Sequence, residues 1–263
     1  MYTIHKYAKA ETLEEAFALN AKKANVILGG TLWLRQGSRM IQTAIDLDRL
    51  GLDKIEETAD AFVIGCMVKL RDLELSEDLN DWTQGAVRAS VQHIVGTQFR
   101  NCATIGGSIF GRFGFSDILT CLLALETEVE LYQRGTIPLA EFINLPPDND
   151  ILVHIIIKKL PRQIHYEAFR ASATDFPLLT CAVSLGGAGI RTAIGARPGR
   201  AVLLTDPEGH LAGGLTKTAI ESYAAFVEKN TAFGKNMRAS AAYRRALAPV
   251  LVRRSLEALG GEA

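Results

Sequence analysis

Two short glycine-rich stretches hold the groups best suited to chemistry in this 263-residue chain. The first, Val26-Ile27-Leu28-Gly29-Gly30-Thr31, lies at the exit of an apolar run. The second, Ala103-Thr104-Ile105-Gly106-Gly107-Ser108, is followed by Asp117 at the head of another. Glycine permits positive φ and lets the backbone approach a ligand with no Cβ in the way. Consecutive N–H groups pointing inward form a concavity suited to phosphate oxygens, and Thr31 and Ser108 each add a hydroxyl donor. A hydrogen bond to a charged group contributes about 1.5–3 kcal/mol, and a micromolar ligand needs about 8 kcal/mol. Four or five amides converging on a diphosphate would do most of the binding, a number that two such turns supply and one does not. The plainer alternative is a pair of ordinary turns, with Asp117 as the N-cap of the helix after it.

Other chemistries leave no trace in the spacing. There is no G-x-x-x-x-G-K-[ST] and no G-x-G-x-x-G; the nearest approach, at 187–192, lacks the third glycine. No G-x-S-x-G elbow or zinc-protease helix occurs. Cys66, Cys102, Cys121 and Cys181 are far apart, and the five histidines show no ligand spacing. No metal site and no catalytic acid–base set is therefore expected, and four unpaired thiols suit a reducing cytoplasm. Basic and acidic side chains balance at 29 each, which removes the electrostatic case for a nucleic-acid partner. The longest apolar runs, such as 151–157, fall far below the roughly 18 residues of a membrane span.

The elements that must carry these stretches read as α+β, because helices and strands mix without strict alternation. Thr12-Leu13-Glu14-Glu15 is a capping box opening a helix over 13–23. Strands are predicted at 25–28 and 43–47, a hairpin at 54–57 and 62–66, and helices at 69–75 and 81–94. The run 118–125 is apolar nearly all round and predicts a buried helix. Further strands are expected at 128–132, 151–157, 165–171, 178–186 and 200–205. Helices at 216–226 and 240–259 close the chain, the last interrupted at Pro249. Lys235, Arg238, Arg244, Arg245, Arg253 and Arg254 make this end basic. That run reads as a solvated helix face, or alternatively as a docking face for an acidic partner, with Arg244 and Arg245 as its test positions.

The block 96–108 (Gly-Thr-Gln-Phe-Arg-Asn-Cys-Ala-Thr-Ile-Gly-Gly-Ser), with Asp117 and the run 122–131, resembles the FAD-binding subunit of molybdenum-containing hydroxylases. That family includes the flavin subunits of xanthine dehydrogenase and aerobic carbon monoxide dehydrogenase. The segments 12–16, 28–31, 70–74, 166–170 and 240–244 extend the resemblance over nearly the whole chain. It implies a PCMH-type FAD-binding domain at 1–161, with α+β subdomains of about 1–53 and 54–161, and a smaller α+β domain at 162–263. It assigns Val26, Ile27, Leu28, Gly29, Gly30, Thr31, Leu32 and Trp33 to one diphosphate turn and Thr104, Ile105, Gly106, Gly107 and Ser108 to the other. Ile94 and Leu152 become apolar contacts to the cofactor, and Asp117 an acceptor for its sugar or ribityl hydroxyls. Arg170 stands where relatives often have lysine, and a cation there would stabilise reduced flavin. The segment Ile109–Ser116 also departs from the family pattern.

The resemblance further implies partners: a large molybdenum-cofactor subunit that oxidises the substrate, and a small [2Fe–2S] subunit that passes electrons to this FAD. NAD or another acceptor would take them onward, and a purine is the family-weighted substrate. The four-cysteine insert of one branch is not evident, so no Fe–S cluster is expected in this chain. Two other readings remain open at this stage: a free-standing flavin-dependent oxidoreductase, and an assembly subunit that has lost its flavin.

Overall fold

Thr12 caps the helix Leu13–Asn20 as its spacing predicts: Thr12 Oγ1 accepts the Glu15 N–H at 3.1 Å, while Glu15 Oε2 takes the Glu11 N–H at 2.9 Å. The helix ends three residues earlier than its sequence suggests. The computed structural model describes residues 2–187 and 189–260. They form two compact units, one of 2–72, 97–111 and 127–159, the other of 73–96, 112–126, 160–187 and 189–260.

The first unit holds two sheets. β1 (Thr3–Lys9), β2 (Val26–Leu28) and β3 (Met40–Asp46) form a parallel sheet in the order β1-β3-β2, with the helix Leu13–Asn20 crossing from β1 to β2. β4 (Ile55–Glu57), β5 (Ala61–Gly65), β6 (Thr127–Leu131), β7 (Gly135–Pro138) and β8 (Leu152–Lys158) form an antiparallel sheet in the order β4-β5-β8-β6-β7. The predicted hairpin is β4–β5, its turn closed by the Ala61 N–H on Thr58 Oγ1 at 3.0 Å. β6 alternates as a half-buried strand should: Thr127, Val129 and Leu131 face inward. Glu128 and Glu130 face out, paired with Lys158 and with His154, at 2.7 Å for the histidine. β1 and β7 escape the sequence reading. β1 is exposed almost throughout and so carries no inward-facing pattern.

The second unit is built on the antiparallel sheet β9 (Arg162–Phe169), β10 (Leu179–Gly186), β11 (Gly189–Gly195) and β12 (Val202–Leu204), in the order β12-β11-β10-β9. β10 is buried on both faces. Leu179, Cys181 and Val183 join the apolar core made with the helices Lys217–Asn230 and Ala241–Ala258. Its other face carries hydroxyls: Thr180 meets Thr120 at 3.1 Å, and Ser184 donates to the Ala124 carbonyl at 2.5 Å. Both acceptors belong to the helix Asp117–Ala124, every residue of which is buried, as its all-round apolar sequence predicts. Arg191 closes that helix by donating to the Leu123 and Leu125 carbonyls, both at 3.2 Å.

Three expectations change. The helix expected over 81–94 is two helices, Glu77–Trp82 and Ala86–Val91, separated where Gln84 and Gly85 adopt positive φ. Ser116, not Asp117, is the N-cap of the buried helix; its Oγ accepts the Leu119 N–H, and Asp117 is the first helical residue. Pro249 sits inside one continuous helix, Ala241–Ala258. The near-miss at 187–192 falls on the β10–β11 hairpin, with Ala188 outside the described residues.

Arg244 is neither solvated nor available for docking. It is fully buried and donates to the Leu178 carbonyl (2.7 Å), the Gly234 and Ala239 carbonyls (3.0 and 2.6 Å) and Asn236 Oδ1 (2.7 Å). Arg244→Ala is expected to destabilise the chain by about 3 kcal/mol or more, since each lost bond is charge-assisted. Arg245→Glu, at an exposed position above the Phe233 ring, should cost less than about 1 kcal/mol. Urea denaturation of both variants measures this, and equal losses would refute the assignment.

Candidate functional site

β2 delivers Gly29 and Gly30 against the second glycine stretch, so the two candidate turns meet within the first unit. A Cβ on Gly30 would overlap the Cys102 carbonyl, and one on Gly29 would lie 2.9 Å from Thr104 Oγ1. Gly106 is held as closely: a Cβ there would lie 2.5 Å from the Cys66 carbonyl oxygen, which already accepts the Gly106 N–H at 2.9 Å. At Gly30 and Gly106 backbone must touch backbone, and only glycine allows it.

The two stretches differ in what they do with their amides. The second is no open loop but the start of the helix Ile105–Phe110, capped by Thr104. Ile105 N–H goes to the Val68 carbonyl, Gly107 N–H to Thr104 Oγ1 and Ser108 N–H to the Thr104 carbonyl, at 2.9, 3.2 and 3.2 Å. With Gly106, all four donors after Thr104 are spent internally. In the first stretch, among the described residues, no hydrogen bond is drawn from the N–H groups of Gly29, Gly30, Thr31 or Leu32. Thr31 holds φ 58°, costly for a β-branched residue and characteristic of functional turns. The expectation of donors from both turns therefore needs revising. The first turn offers the N–H groups; the second offers close approach and the Thr104 hydroxyl, whose proton remains to be given while its oxygen accepts from Gly107.

A cleft of about 570 Å³ runs beside these groups, a size usual for cofactor pockets. Of the residues singled out in the sequence, Val26, Ile27, Leu28, Gly29, Thr104, Gly106, Gly107 and Leu152 line it. Gly30, Thr31, Leu32, Trp33, Ile105 and Ser108 are neighbours in the same unit that do not. Leu47, Met67, Phe110 and Ile151 add apolar wall. Asn20, Lys22, Lys23, Asn25 and Arg39 form a polar, cationic part that sequence reasoning missed. The pair Lys22-Lys23, just ahead of the strand that feeds the glycine turn, was the available signal. The acidic lining is already engaged: Asp150 accepts the Gln133, Arg134 and Ile151 N–H groups, and Asp148 pairs with Arg134 at 3.0 Å.

Ile94, Asp117 and Arg170 belong to the second unit. Asp117 and Arg170 are each other's partners there, an ion pair whose side chains are 5% and 7% exposed. Tyr166 donates to the same Asp117 oxygen at 2.5 Å, and Arg170 also donates to the Asp175 carbonyl at 2.7 Å. Burial pushes the Asp117 carboxyl up to about 6, against the opposing pull of Arg170 and Tyr166. Tyr166 rises well above the usual phenol range for the same reason, reinforced by the Asp117 charge.

Residues 2–160 match the family model described as the FAD binding domain in molybdopterin dehydrogenase, and residues 164–259 match that of the CO dehydrogenase flavoprotein C-terminal domain. The chain belongs to the FAD-binding subunits of the molybdenum hydroxylases. Its cofactor is FAD. Within this family the chain is 27% identical to the uncharacterized protein YgfM of Escherichia coli K12, over 95% of this chain and 94% of that one. It is also 27% identical to the nicotine 6-hydroxylase medium subunit of Paenarthrobacter nicotinovorans, over 97% of each. Among solved structures, a carbon monoxide dehydrogenase from Hydrogenophaga pseudoflava superposes with a TM-score of 0.86 at 25% identity, covering 96% of both chains. Among the described residues no helix is long and apolar enough to cross a membrane.

The cleft fits this cofactor: its wall carries the open Gly29 amide, next to those of Gly30–Leu32, and the Thr104 hydroxyl for a diphosphate, apolar side chains for flat rings, and glycines where side chains would intrude. Gly30→Ala should therefore part the two stretches, destabilising the chain by about 1–3 kcal/mol and weakening FAD binding at least tenfold by titration. Gly107→Ala, whose Cβ would lie 3.2 Å from Thr104 Oγ1, should do much less.

The buried pair predicts a pH effect of definite sign. With its folded pKa raised from 3.8 to about 6, Asp117 contributes most stability below pH 4 and loses it as pH rises through 6, by about 3 kcal/mol in all. Stability measured across pH 4–6 should show this downward contribution, and Asp117→Asn/Arg170→Gln should lack it.

Proposed function

We propose that the chain binds FAD along β2 and serves as the electron-transfer subunit of a molybdenum-containing dehydrogenase. The observation that carries this reading is the Gly29–Leu32 turn, with four N–H groups uncommitted among the described residues and Thr31 in a strained conformation. These amides, with the hydroxyls of Thr31 and Thr104, would hold the diphosphate. Four to six donors at about 1.5–3 kcal/mol each reach the roughly 8 kcal/mol of micromolar binding. Leu47, Met67, Phe110 and Leu152 would shield the ligand from water, and the cationic part of the cleft offsets its charge.

Bound FAD supplies the redox chemistry, taking electrons singly and releasing them as a pair, while the protein orients and tunes it. No side-chain nucleophile or general base is required of this chain. A [2Fe–2S] subunit would deliver the electrons, a molybdenum-cofactor subunit would oxidise the substrate, and NAD or another acceptor would receive the pair. The medium-subunit name of the nicotine 6-hydroxylase relative supports such an assembly. Four free cysteines, three of them buried, suit a reducing cytoplasm.

Purified chain titrated with FAD should take up one flavin per chain and turn yellow, and the complex with its two partner subunits should reduce NAD⁺ or an artificial acceptor when given substrate. A complex that stays colourless at saturating FAD would defeat the proposal. Substrate oxidation by the chain alone would favour a free-standing oxidoreductase.

A further inference from the structure

The segment 231–240 joins the helices Lys217–Asn230 and Ala241–Ala258 and is neither helix nor strand, yet hydrogen bonds pin it along its length. Arg197 donates to the Ala232 carbonyl at 2.7 Å, and the Gly234 N–H returns to the Arg197 carbonyl at 2.8 Å. Asn236 Oδ1 accepts the Arg238 and Ala239 N–H groups at 3.0 and 3.3 Å. Fully buried Arg244 grips Gly234, Asn236 and Ala239 from the interior. What this framework presents is Met237, which is 93% exposed. Folding gains nothing from an apolar side chain left in water, and burying an arginine is costly. A loop built at that cost around an exposed methionine calls for a role beyond closing the chain.

Charge selects what the loop meets. From 229 to 256 the chain has seven lysines and arginines and no aspartate or glutamate, although the whole balances 29 against 29. Arg238 pairs with Asp175 at 3.2 Å and lies over the Phe176 ring. Lys235 and Arg245 are exposed and have no carboxylate partner among the described residues. The Arg245 guanidinium lies 5.9 Å from the Phe233 ring, which places it on the Lys235 limb of the loop. A second copy of this chain would set like charges against like. A membrane surface would need a broader apolar face than one side chain. An acidic protein face with an apolar recess satisfies both the methionine and the cations. Methionine is enriched at the cores of protein interfaces, and a pinned loop enters one without the ordering cost of a mobile one.

We propose that the 231–240 loop docks onto an acidic, recessed face of a partner subunit, Met237 entering the recess while Lys235 and Arg245 meet carboxylates at its rim. This rests on the reading of the chain as one subunit of a larger dehydrogenase and adds to it a surface through which assembly occurs. It also relocates the docking face expected from the basic C-terminal run: Arg244 shapes the loop from within, and the contacts to the partner fall to its tip and to Arg245.

The test titrates the full chain with its molybdenum-cofactor and [2Fe–2S] subunits and, separately, with anionic phospholipid vesicles. Met237→Asp and the double variant Lys235→Glu/Arg245→Glu should each weaken assembly about tenfold or more. FAD uptake by each free variant should match that of the wild-type chain, which shows that it folds. Met237→Leu, which keeps the apolar bulk, should assemble normally. Wild-type affinity should fall as salt is added, and the double variant should lose most of that dependence. Unchanged assembly of Met237→Asp and of the double variant overturns the docking assignment and leaves the subunit reading intact. Binding to the vesicles that both variants lose, with assembly unaffected, overturns it too and gives the loop to a membrane. A wild-type chain that takes up FAD but assembles with neither subunit removes the subunit reading and the proposal together.

Discussion

The candidate site depends on backbone touching backbone. Gly30 lies against the Cys102 carbonyl and Gly106 against that of Cys66, at separations no side chain would permit. These contacts join segments far apart in sequence: the turn after β2, the segment after β5, and the stretch leading into the helix Ile105–Phe110. Packing at atomic density transmits any added methyl group to its neighbours. The shape of the cleft is therefore set by missing atoms as much as by present ones. The division of donors follows from the same arrangement. The second stretch spends its N–H groups binding itself to Val68, Cys66 and Thr104, and that makes it a rigid wall for the turn whose amides stay open.

In the second unit the organising force is electrostatic. Asp117, Arg170 and Tyr166 form a closed group in which the carboxylate receives both donors on one oxygen. A buried pair of this kind adds little net stability but is costly to break from one side. It is better suited to holding β9, the residues just after it and the head of the helix Asp117–Ala124 in one arrangement. Arg162 and Arg191 do the same at the other end of that helix, both reaching Glu126 at 3.0 Å.

Much of this was legible in the sequence, and the failures have physical reasons. Local signals were reliable: the capping box at Thr12, the β4–β5 hairpin, and a buried helix from an all-apolar run. The glycine pairs stood out in the sequence, but the different commitments of their amides depend on which carbonyls lie nearby, which no spacing encodes. Arg244 looked like surface because arginine usually is; its burial rests on four acceptors gathered from β10's lead-in and the 234–239 loop. That Asp117 and Arg170, 53 residues apart, are an ion pair is set by the fold and leaves no trace in the spacing. β1 was missed because an exposed strand carries no alternation to read.

The two-faced character of β10 bears on how the second unit finds its alignment. A slip of one residue exchanges the faces of a strand. Here it would push Thr180 and Ser184 into the oily layer beneath the two long helices and strand their hydroxyls, while Leu179, Cys181 and Val183 would crowd the tight seam where Gly195 leaves room for Thr120. Mispaired hairpins thus pay on both sides at once. The hydroxyls act less as glue for the finished sheet than as proofreaders of its assembly, and an isosteric threonine-to-valine exchange at 180 would erode fidelity of pairing more than the strength of the final fold.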